Sequence, residues 1–166
     1  QDRIAFLFKI SAAAQSGNCN VTATTTDDSA NSDTDTYANE FTIAFYSQIS
    51  VTTSTHSWTN ATTGTTNQLI DGTWINFTVT SNAVFKIQAK GSGNLANGSY
   101  TIGLGNVTIH KETLGSAISL TTTYADVVGW TSQAMGQNLN LYVKLWLSVP
   151  ESAEPWLDYT YTLYIQ

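Results

Sequence analysis

Charged side chains are scarce in this chain of 166 residues, in which Asp, Glu, Lys and Arg together make up 11%. Six basic residues stand against twelve acidic ones, for a formal net charge of −6. So few basic side chains, scattered along the chain, cannot line the phosphate backbone of a nucleic acid, and we expect no nucleic-acid partner. Thr, Ser and Asn take the place of charge, a composition that is unusual for a cytoplasmic enzyme.

Cysteine is nearly absent, and long apolar runs are missing. Cys19 is the only cysteine, so the chain cannot form an intrachain disulfide, although this does not exclude an extracellular location. No apolar run reaches the roughly 18 residues of a membrane span, and we expect none. The chain starts on Gln1 rather than Met. We interpret it as a mature, extracellular product from which a secretion signal has been removed.

The motifs of catalysis and metal binding are also missing. His56 and His110 have no His-Glu-x-x-His or His-x-His spacing, so we expect them at the surface or at a strand edge rather than on a metal. No Gly-x-Ser-x-Gly elbow occurs, and Gly91-Ser-Gly lacks the spacing and the following helix of a phosphate-binding loop. We therefore expect no enzymatic activity, no metal and no cofactor.

Acidic residues form one local cluster and four separate sites. The cluster offers the oxygen ligands that calcium prefers, but the sharp Gly turn and the terminal Glu of a calcium loop are missing. We interpret it as part of a solvated loop and leave calcium binding open. Two of the separate glutamates would suit a glycosidase, although nothing in their spacing favours one. The cluster consists of Asp27, Asp28, Asn31, Asp33 and Asp35, and the separate glutamates are Glu40, Glu112, Glu151 and Glu154.

Apolar side chains alternate with other residues at the start of the chain, which predicts a strand with one strongly apolar face. The polar stretch 11–39 follows, and we interpret it as a linker or a long surface loop. The first strand therefore lacks a tight-turn partner. It can fold back into its own domain or be donated to a neighbouring copy. The alternating residues are Ile4, Phe6, Phe8 and Ile10.

Strand signals recur from residue 40 onward, and no segment has a helical period over three turns. Alternation is clearest in 139–148 and 156–166, while 74–79 and 83–89 are separated by a short turn and predict a hairpin. About eight to nine strands with one buried face predict an all-β fold, an immunoglobulin-like or jelly-roll β-sandwich. We divide the chain into an N-terminal strand at 1–13, a polar linker or loop at 14–39 and a head domain at 40–166.

Five Asn-x-Ser/Thr sequons occur, and each can accept an N-glycan if the protein is exported. A chain this rich in Asn, Thr and Ser forms about three by chance, so their placement is more informative than their number. Asn76 and Asn106 fall on the predicted solvent faces of strands, where a glycan disturbs no core. Glycans would also explain a surface with little charge. The sequon asparagines are Asn20, Asn60, Asn76, Asn97 and Asn106.

The chain is rich in aromatic residues, with five Trp and eight Tyr. Trp74, Trp146 and Trp156 are predicted on the less apolar faces of their strands. Rings in such positions bind sugars, or are covered by a second sheet, a neighbouring subunit or glycans. A monomeric secreted carbohydrate-binding module or adhesin, in which the first strand completes its own sandwich, is therefore our alternative function.

Three features give the chain a resemblance to a known family: the alternating opening at 4–10, the sequon-dense Thr/Ser/Asn body and the tyrosine-containing terminal strand at 158–166. With them the chain resembles the archaeal thread pilins, glycosylated filament subunits that are similar in architecture to bacterial type I pilins. It lacks the cysteine pair of the bacterial pattern, which favours the archaeal family. The archaeal bundling pili, which also donate strands, are a near competitor.

The resemblance implies an incomplete immunoglobulin-like head whose groove is filled by the N-terminal strand of a neighbouring, identical subunit. The protein would then be a structural subunit of an extracellular, cell-surface filament used in adhesion or biofilm formation. We expect 139–147 and 157–165 to form part of the acceptor groove. Burying the four alternating donor side chains contributes about 6–12 kcal/mol. Ordering the strand costs about 1–2 kcal/mol per residue, so the groove must already be formed.

Overall fold

The computed structural model describes residues 7, 9–11, 14–52, 55–59, 61–72, 74–154 and 157–166. Apart from two 3₁₀ turns, Leu104–Asn106 and Leu114–Ser116, the regular elements in these residues are strands. No helix in this part of the chain is long and apolar enough to cross a membrane. The all-β prediction is confirmed. The strands are β1 (Gly17–Thr26), β2 (Ser32–Ile43), β3 (Ser47–Val51), β4 (Gln68–Leu69), β5 (Ile75–Ser81), β6 (Gln88–Gly91), β7 (Leu95–Asn97), β8 (Tyr100–Ile102), β9 (Val107–His110), β10 (Ile118–Ser119), β11 (Ala125–Asp126), β12 (Gly136–Leu147) and β13 (Leu163–Ile165).

The larger sheet is built around β12, in the order β10-β9-β12-β5-β3, with β4 also paired to β12. Side chains alternate along β12, so that Leu141, Val143 and Leu145 are buried and the residues between them are half-buried. One edge of β12 pairs with β5 and β4 and the other with β9, all antiparallel. β9 covers the second edge of β12 only over 144–147, so the predicted role of 139–147 in the acceptor groove stays a prediction. The buried side chains of this strand belong to the core.

The smaller sheet has the order β11-β6-β13 and lies on the other side of the core. The β7–β8 hairpin continues it, since the backbones of Ala96 and Thr160 bond to each other ahead of β13. Phe77 of β5, Val143 of β12 and Ile87 beside β6 are at most 2% exposed and belong to one apolar cluster. Each such side chain contributes about 1.5–3 kcal/mol on burial. Two sheets sharing one core make the fold a β-sandwich, as predicted.

The chain crosses from one sheet to the other at Asn82. We predicted a hairpin between 74–79 and 83–89, but β5 belongs to the larger sheet and β6 to the smaller, so that prediction is wrong. Both edges of β5 are taken by β12 and β3, which leaves no edge for the segment that follows. The Asn82 side chain is buried. It accepts a hydrogen bond from Tyr46 N and donates one to Ala44 O, both at 2.8 Å.

Residues 17–43, which we call the arm, form a two-stranded antiparallel hairpin of β1 and β2. We predicted a polar linker or loop at 14–39, and that prediction is wrong about the secondary structure. The arm is rich in Thr, whose branched side chain suits a strand. Hydroxyl groups also pair across it, with Oγ1 of Thr22 and Oγ1 of Thr36 at 3.1 Å. Nearly all arm side chains are exposed, as the polar composition indicated.

Most of the predicted N-terminal strand, including Ile4, Phe6 and Phe8, lies outside the described residues. Its structure and the domain boundary at residue 13 therefore stay predictions. Two of its apolar residues are described. Leu7 is fully exposed and Ile10 is 43% exposed, and neither belongs to a strand.

Candidate strand-accepting cleft

Two strand edges flank a cleft in the side of the sandwich. β3 is the last strand of the larger sheet and β13 the last of the three-stranded one. In the described part of the chain, neither has a second partner strand. Between them lies a cleft of about 190 Å³. Its lining residues come from both sheets and are Ser47, Ile49, Val79, Phe85, Lys86, Ile87 and Gln166.

The cleft is apolar and only partly sealed. Ile49 and Phe85 pack against the core cluster yet remain half-buried, and so do Leu163 and Ile165 on β13. The unpaired edges present backbone N–H and C=O groups, which makes each of them a template for a further strand. Apolar side chains between two such edges provide what strand addition requires, namely pockets for alternate side chains and backbone partners.

An aromatic cluster links the segment that follows β3 to the segment that precedes β13. His56, which follows β3, lies with Nε2 3.0 Å from the Tyr161 hydroxyl, just ahead of β13. Trp58 stacks on Tyr161, with ring centroids 6.4 Å apart. Burial lowers the pKa of His56 and raises the pKa of Tyr161, so both side chains are neutral at pH 7. These two segments are therefore joined by side chains that carry no net charge.

The rim of the cleft carries one ion pair. Lys86 Nζ lies 2.8 Å from an oxygen of Asp126, and both side chains are more than 40% exposed. Hydrogen bonds from Lys86 and then from Gln88 lower the pKa of Asp126. An exposed pair of this kind contributes about 0–1 kcal/mol to stability. Because Asp126 already compensates the positive charge of Lys86, an apolar strand that enters the cleft does not face an unpaired charge.

The acidic cluster is located at the tip of the arm. Asp27 Oδ1 accepts hydrogen bonds from Ser29 N and Asn31 N, and Oδ2 accepts one from Asn31 Nδ2, all at 2.9 Å. The bonds from Asn31, and then that from Ser29, lower the pKa of the Asp27 carboxyl. The tip is therefore an Asx-type turn that closes the hairpin. Among the described residues, no three Asp, Glu, His or Cys side chains are grouped to hold a metal ion.

His110 is buried at the end of β9, so the expected surface or edge position is wrong for it. Its Nδ1 accepts hydrogen bonds from the backbone N–H groups of Glu112 and Thr113, both at 2.8 Å. These bonds require an unprotonated Nδ1. Burial is the main cause that lowers the pKa of His110. The side chain caps a turn, and Glu112, considered above as a glycosidase carboxylate, instead accepts a hydrogen bond from the Tyr142 hydroxyl at 2.9 Å.

An aromatic surface lies on the outer face of the larger sheet, away from the cleft. Trp74 is 42% exposed, as the pattern predicted, and its ring centroid is 5.3 Å from that of Tyr142. Lys144 Nζ lies 5.4 Å from the Trp74 ring centroid. Trp146 is buried, contrary to a role as a sugar platform, and Trp156 lies outside the described residues.

Trp130 is buried and contacts the Tyr142 ring, with the two ring centroids 6.1 Å apart. The sequence pattern did not single it out. Its Nε1 donates a hydrogen bond of 2.7 Å to the backbone oxygen of Tyr142. It does so beyond the end of β9, where β12 no longer has that strand as a partner. Lys111 Nζ lies 4.1 Å from the Trp130 ring centroid. No local sequence signal reveals that Trp130 bonds to β12, because this contact depends on where β9 stops pairing with β12, and these two strands are distant in sequence.

The sequon asparagines have different surroundings. Asn76 is exposed on β5, as predicted, and Asn20 is exposed in the arm. Asn20 Oδ1 accepts a hydrogen bond from Asn39 N at 2.9 Å. Asn60 lies outside the described residues.

The other two sequons are less accessible. Asn97 and Asn106 are half-buried, and Nδ2 of each donates a hydrogen bond to a backbone oxygen, of Asp158 at 2.8 Å and of Gly103 at 3.1 Å. Asn106 lies in a 3₁₀ turn rather than on the solvent face of a strand, because β9 begins only at Val107. The predicted placement of Asn106 is therefore wrong.

Sequence comparisons do not assign the protein to a family. The chain matches no protein-family model and no curated protein. The function is therefore argued from three features of the molecule: the cleft, the pattern of the N-terminal segment and the aromatic surface.

Proposed function

We propose that the protein is a structural subunit of an extracellular filament, polymerised when each N-terminal segment occupies the cleft of a neighbouring copy. The observation that carries this proposal is the apolar cleft between β3 and β13, two edges on different sheets that lack a partner in the described residues. The chain itself carries a matching occupant, a segment with an apolar residue at every second position from Ile4 to Ile10. Adhesion or biofilm formation is the role that such a filament would serve.

The free energy of burying the donor side chains favours binding to a cleft that is already formed in the head domain. The four alternating side chains contribute about 6–12 kcal/mol on burial, and main-chain pairing to β3 or β13 removes an open edge. The head domain already holds both edges apart through its own core, so only the donor has to become ordered. Because Asp126 pairs with Lys86 at the rim of the cleft, Lys86 imposes no uncompensated charge on an apolar strand.

The route of the chain limits how the donor segment reaches its site. Gln137 Nε2 donates a hydrogen bond to Ser11 Oγ at 3.1 Å, and Ser16 N donates one to Asn82 O at 3.0 Å. Because Ser11 contacts the head, the donor segment would extend from residue 11 itself rather than from the end of the polar stretch 11–39. Seven extended residues span about 23 Å, which allows insertion into a neighbour. Ile10, the one described donor residue, is 43% exposed in the single chain, which supports that arrangement over self-insertion.

Deletion of residues 1–13 tests the proposal. Full-length protein should form head-to-tail polymers in electron micrographs, while the deletion variant should run as a monomer in size-exclusion chromatography with light scattering. A synthetic peptide of residues 1–13 should bind this monomer. Phe6→Asp in the peptide should abolish binding, whereas Leu7→Asp, on the opposite face, should weaken it far less. Normal filaments from the deletion variant would refute strand donation, and a full-length protein that stays monomeric at every concentration would indicate self-insertion.

A secreted carbohydrate-binding module remains the second candidate, because the exposed Trp74 ring lies against the half-buried Tyr142 ring on the outer face of the sheet. Flat sugar faces stack on such rings. Titrating the monomeric deletion variant with oligosaccharides, while following tryptophan fluorescence, tests this function. Saturable quenching that Trp74→Ala removes would support it.

A further inference from the structure

We propose that Asn76 carries an N-glycan whose first sugar packs on the Trp74 and Tyr142 rings. The inference rests on the extracellular location in the proposed function, and not on strand donation. It assigns one modified site among five sequons and gives the aromatic surface a covalently attached occupant.

The position of Asn76 places it beside both rings. Trp74 precedes Asn76 by two residues, just ahead of β5, and its ring contacts Tyr142 on the outer face of the sheet. Tyr142 is its direct partner on β12, and Cα atoms of such antiparallel pairs lie about 4.5–5.5 Å apart. Thr78, which completes the sequon, is two residues further along the same face. The attachment point thus lies next to two rings whose centroids are 5.3 Å apart.

The chemistry of the surface suits a pyranose ring. The C–H face of a sugar packs on the exposed Trp74 ring, and hydroxyl or amide groups at the sugar's edge need polar partners. Lys144, 5.4 Å from the Trp74 ring centroid, supplies a donor. Glu112, fixed by the Tyr142 hydroxyl, supplies an acceptor. A few polar groups around an aromatic face are typical of sites for small ligands.

The other sequons lack this combination. The residues two positions before Asn20, Asn97 and Asn106 are Asn18, Leu95 and Leu104, none of them aromatic. Trp58 precedes Asn60 by two residues, but its ring already stacks on Tyr161. Asn97 and Asn106 are also half-buried. Asn76 is the only sequon asparagine in the described residues that is exposed and has an exposed aromatic ring on its own face.

Mass spectrometry of peptides from the exported protein tests occupancy. We expect a sugar mass on the peptide that contains Asn76. Thr78→Ser, which keeps the sequon, should retain the modification, and Thr78→Ala should lose it. An unmodified Asn76 overturns the proposal, and saturable quenching of Trp74 by free oligosaccharide would then identify the second candidate function.

A double-mutant cycle tests whether the sugar packs on the ring. We expect the melting temperature of the glycosylated protein to exceed that of Thr78→Ala by about 2–4 °C. In a Trp74→Ala background, the difference between Thr78→Ser and Thr78→Ala should shrink to zero. If the melting-temperature difference between glycosylated and unglycosylated protein were the same with and without Trp74, the proposal that the sugar packs on this ring would be refuted. Electron micrographs of the same samples report filament assembly separately, so a glycosylated but monomeric protein would refute strand donation alone.

Discussion

Replacing Asn82 by Ala tests whether this side chain holds the root of the arm to the sandwich. Asn82 is 3% exposed, and the substitution removes its hydrogen bonds to Tyr46 N and Ala44 O while leaving its own backbone bonds in place. Each lost bond costs about 0.5–1.5 kcal/mol, and more if the partner stays buried and unsatisfied. Because Ala44 and Tyr46 are exposed residues, water replaces part of the loss. We therefore expect the free energy of unfolding to fall by about 2 kcal/mol.

Two further variants make this experiment specific. Asn82→Asp keeps an acceptor for Tyr46 N but sets a carboxylate oxygen against Ala44 O, so its loss of stability should be at least as large. Asn18→Ala removes an exposed acceptor for the Thr42 hydroxyl within the arm, and should cost less than about 0.5 kcal/mol.

Urea unfolding, followed by tryptophan fluorescence, measures these free energies, and hydrogen exchange at the Tyr46 amide reports the local contact. We expect Asn82→Ala to accelerate that exchange and Asn18→Ala to leave it unchanged. Equal stability of Asn82→Ala and Asn18→Ala, or unaltered exchange at Tyr46, would show that the side chain does not hold the arm.

Two other perturbations address the core and the response to acid. Gly91→Ala places a Cβ 2.5 Å from Leu104 Cδ1, whereas Gly93→Ala meets nothing within 4 Å, so the first should lower the free energy of unfolding by about 1–3 kcal/mol and the second should not. The lowered pKa of His110 means that the unfolded chain binds a proton more readily, so stability should be complete above about pH 6.5 and fall as the pH decreases. His110→Asn, which retains an acceptor, should reduce this pH dependence in urea unfolding. An unchanged slope in that variant, or equal effects of the two glycine substitutions, would contradict the reasoning.

The sequence pattern was reliable where one strand alone determines the outcome. Alternation predicted the buried face of β12 and the exposure of Trp74 and Asn76, because successive side chains on any strand point to opposite faces. The same rule does not predict which strands pair with one another. Alternation in 139–147 does not reveal that β12 pairs with β5 along one edge and with β9 over 144–147 along the other. The most distant partners, Leu147 and Gln68, are 79 residues apart.

The cleft illustrates the limit for a candidate site. Gln166 lines the cleft just after β13, whereas the predicted contribution of 157–165 stays a prediction. The β3 side carries only Ile49 and Val51 as an alternating pair, which is too short a signal to place on an edge. Phe85 enters the cleft because the chain changes sheets at Asn82. Nothing local distinguishes that crossover from a hairpin turn, since both need a short polar link.

The sequence alone determined that this protein is rich in strands and poor in charge, and that an apolar residue occupies every second position near its start. Composition and periodicity are local properties of a chain, so no tertiary contact is needed to recognise them. The tertiary structure decided which edges remain unpaired, that the polar segment 17–43 becomes a hairpin arm, and that Trp74, Asn76 and Tyr142 meet on one face. These outcomes depend on hydrogen bonds and contacts between distant strands, whose free energies no single segment contains.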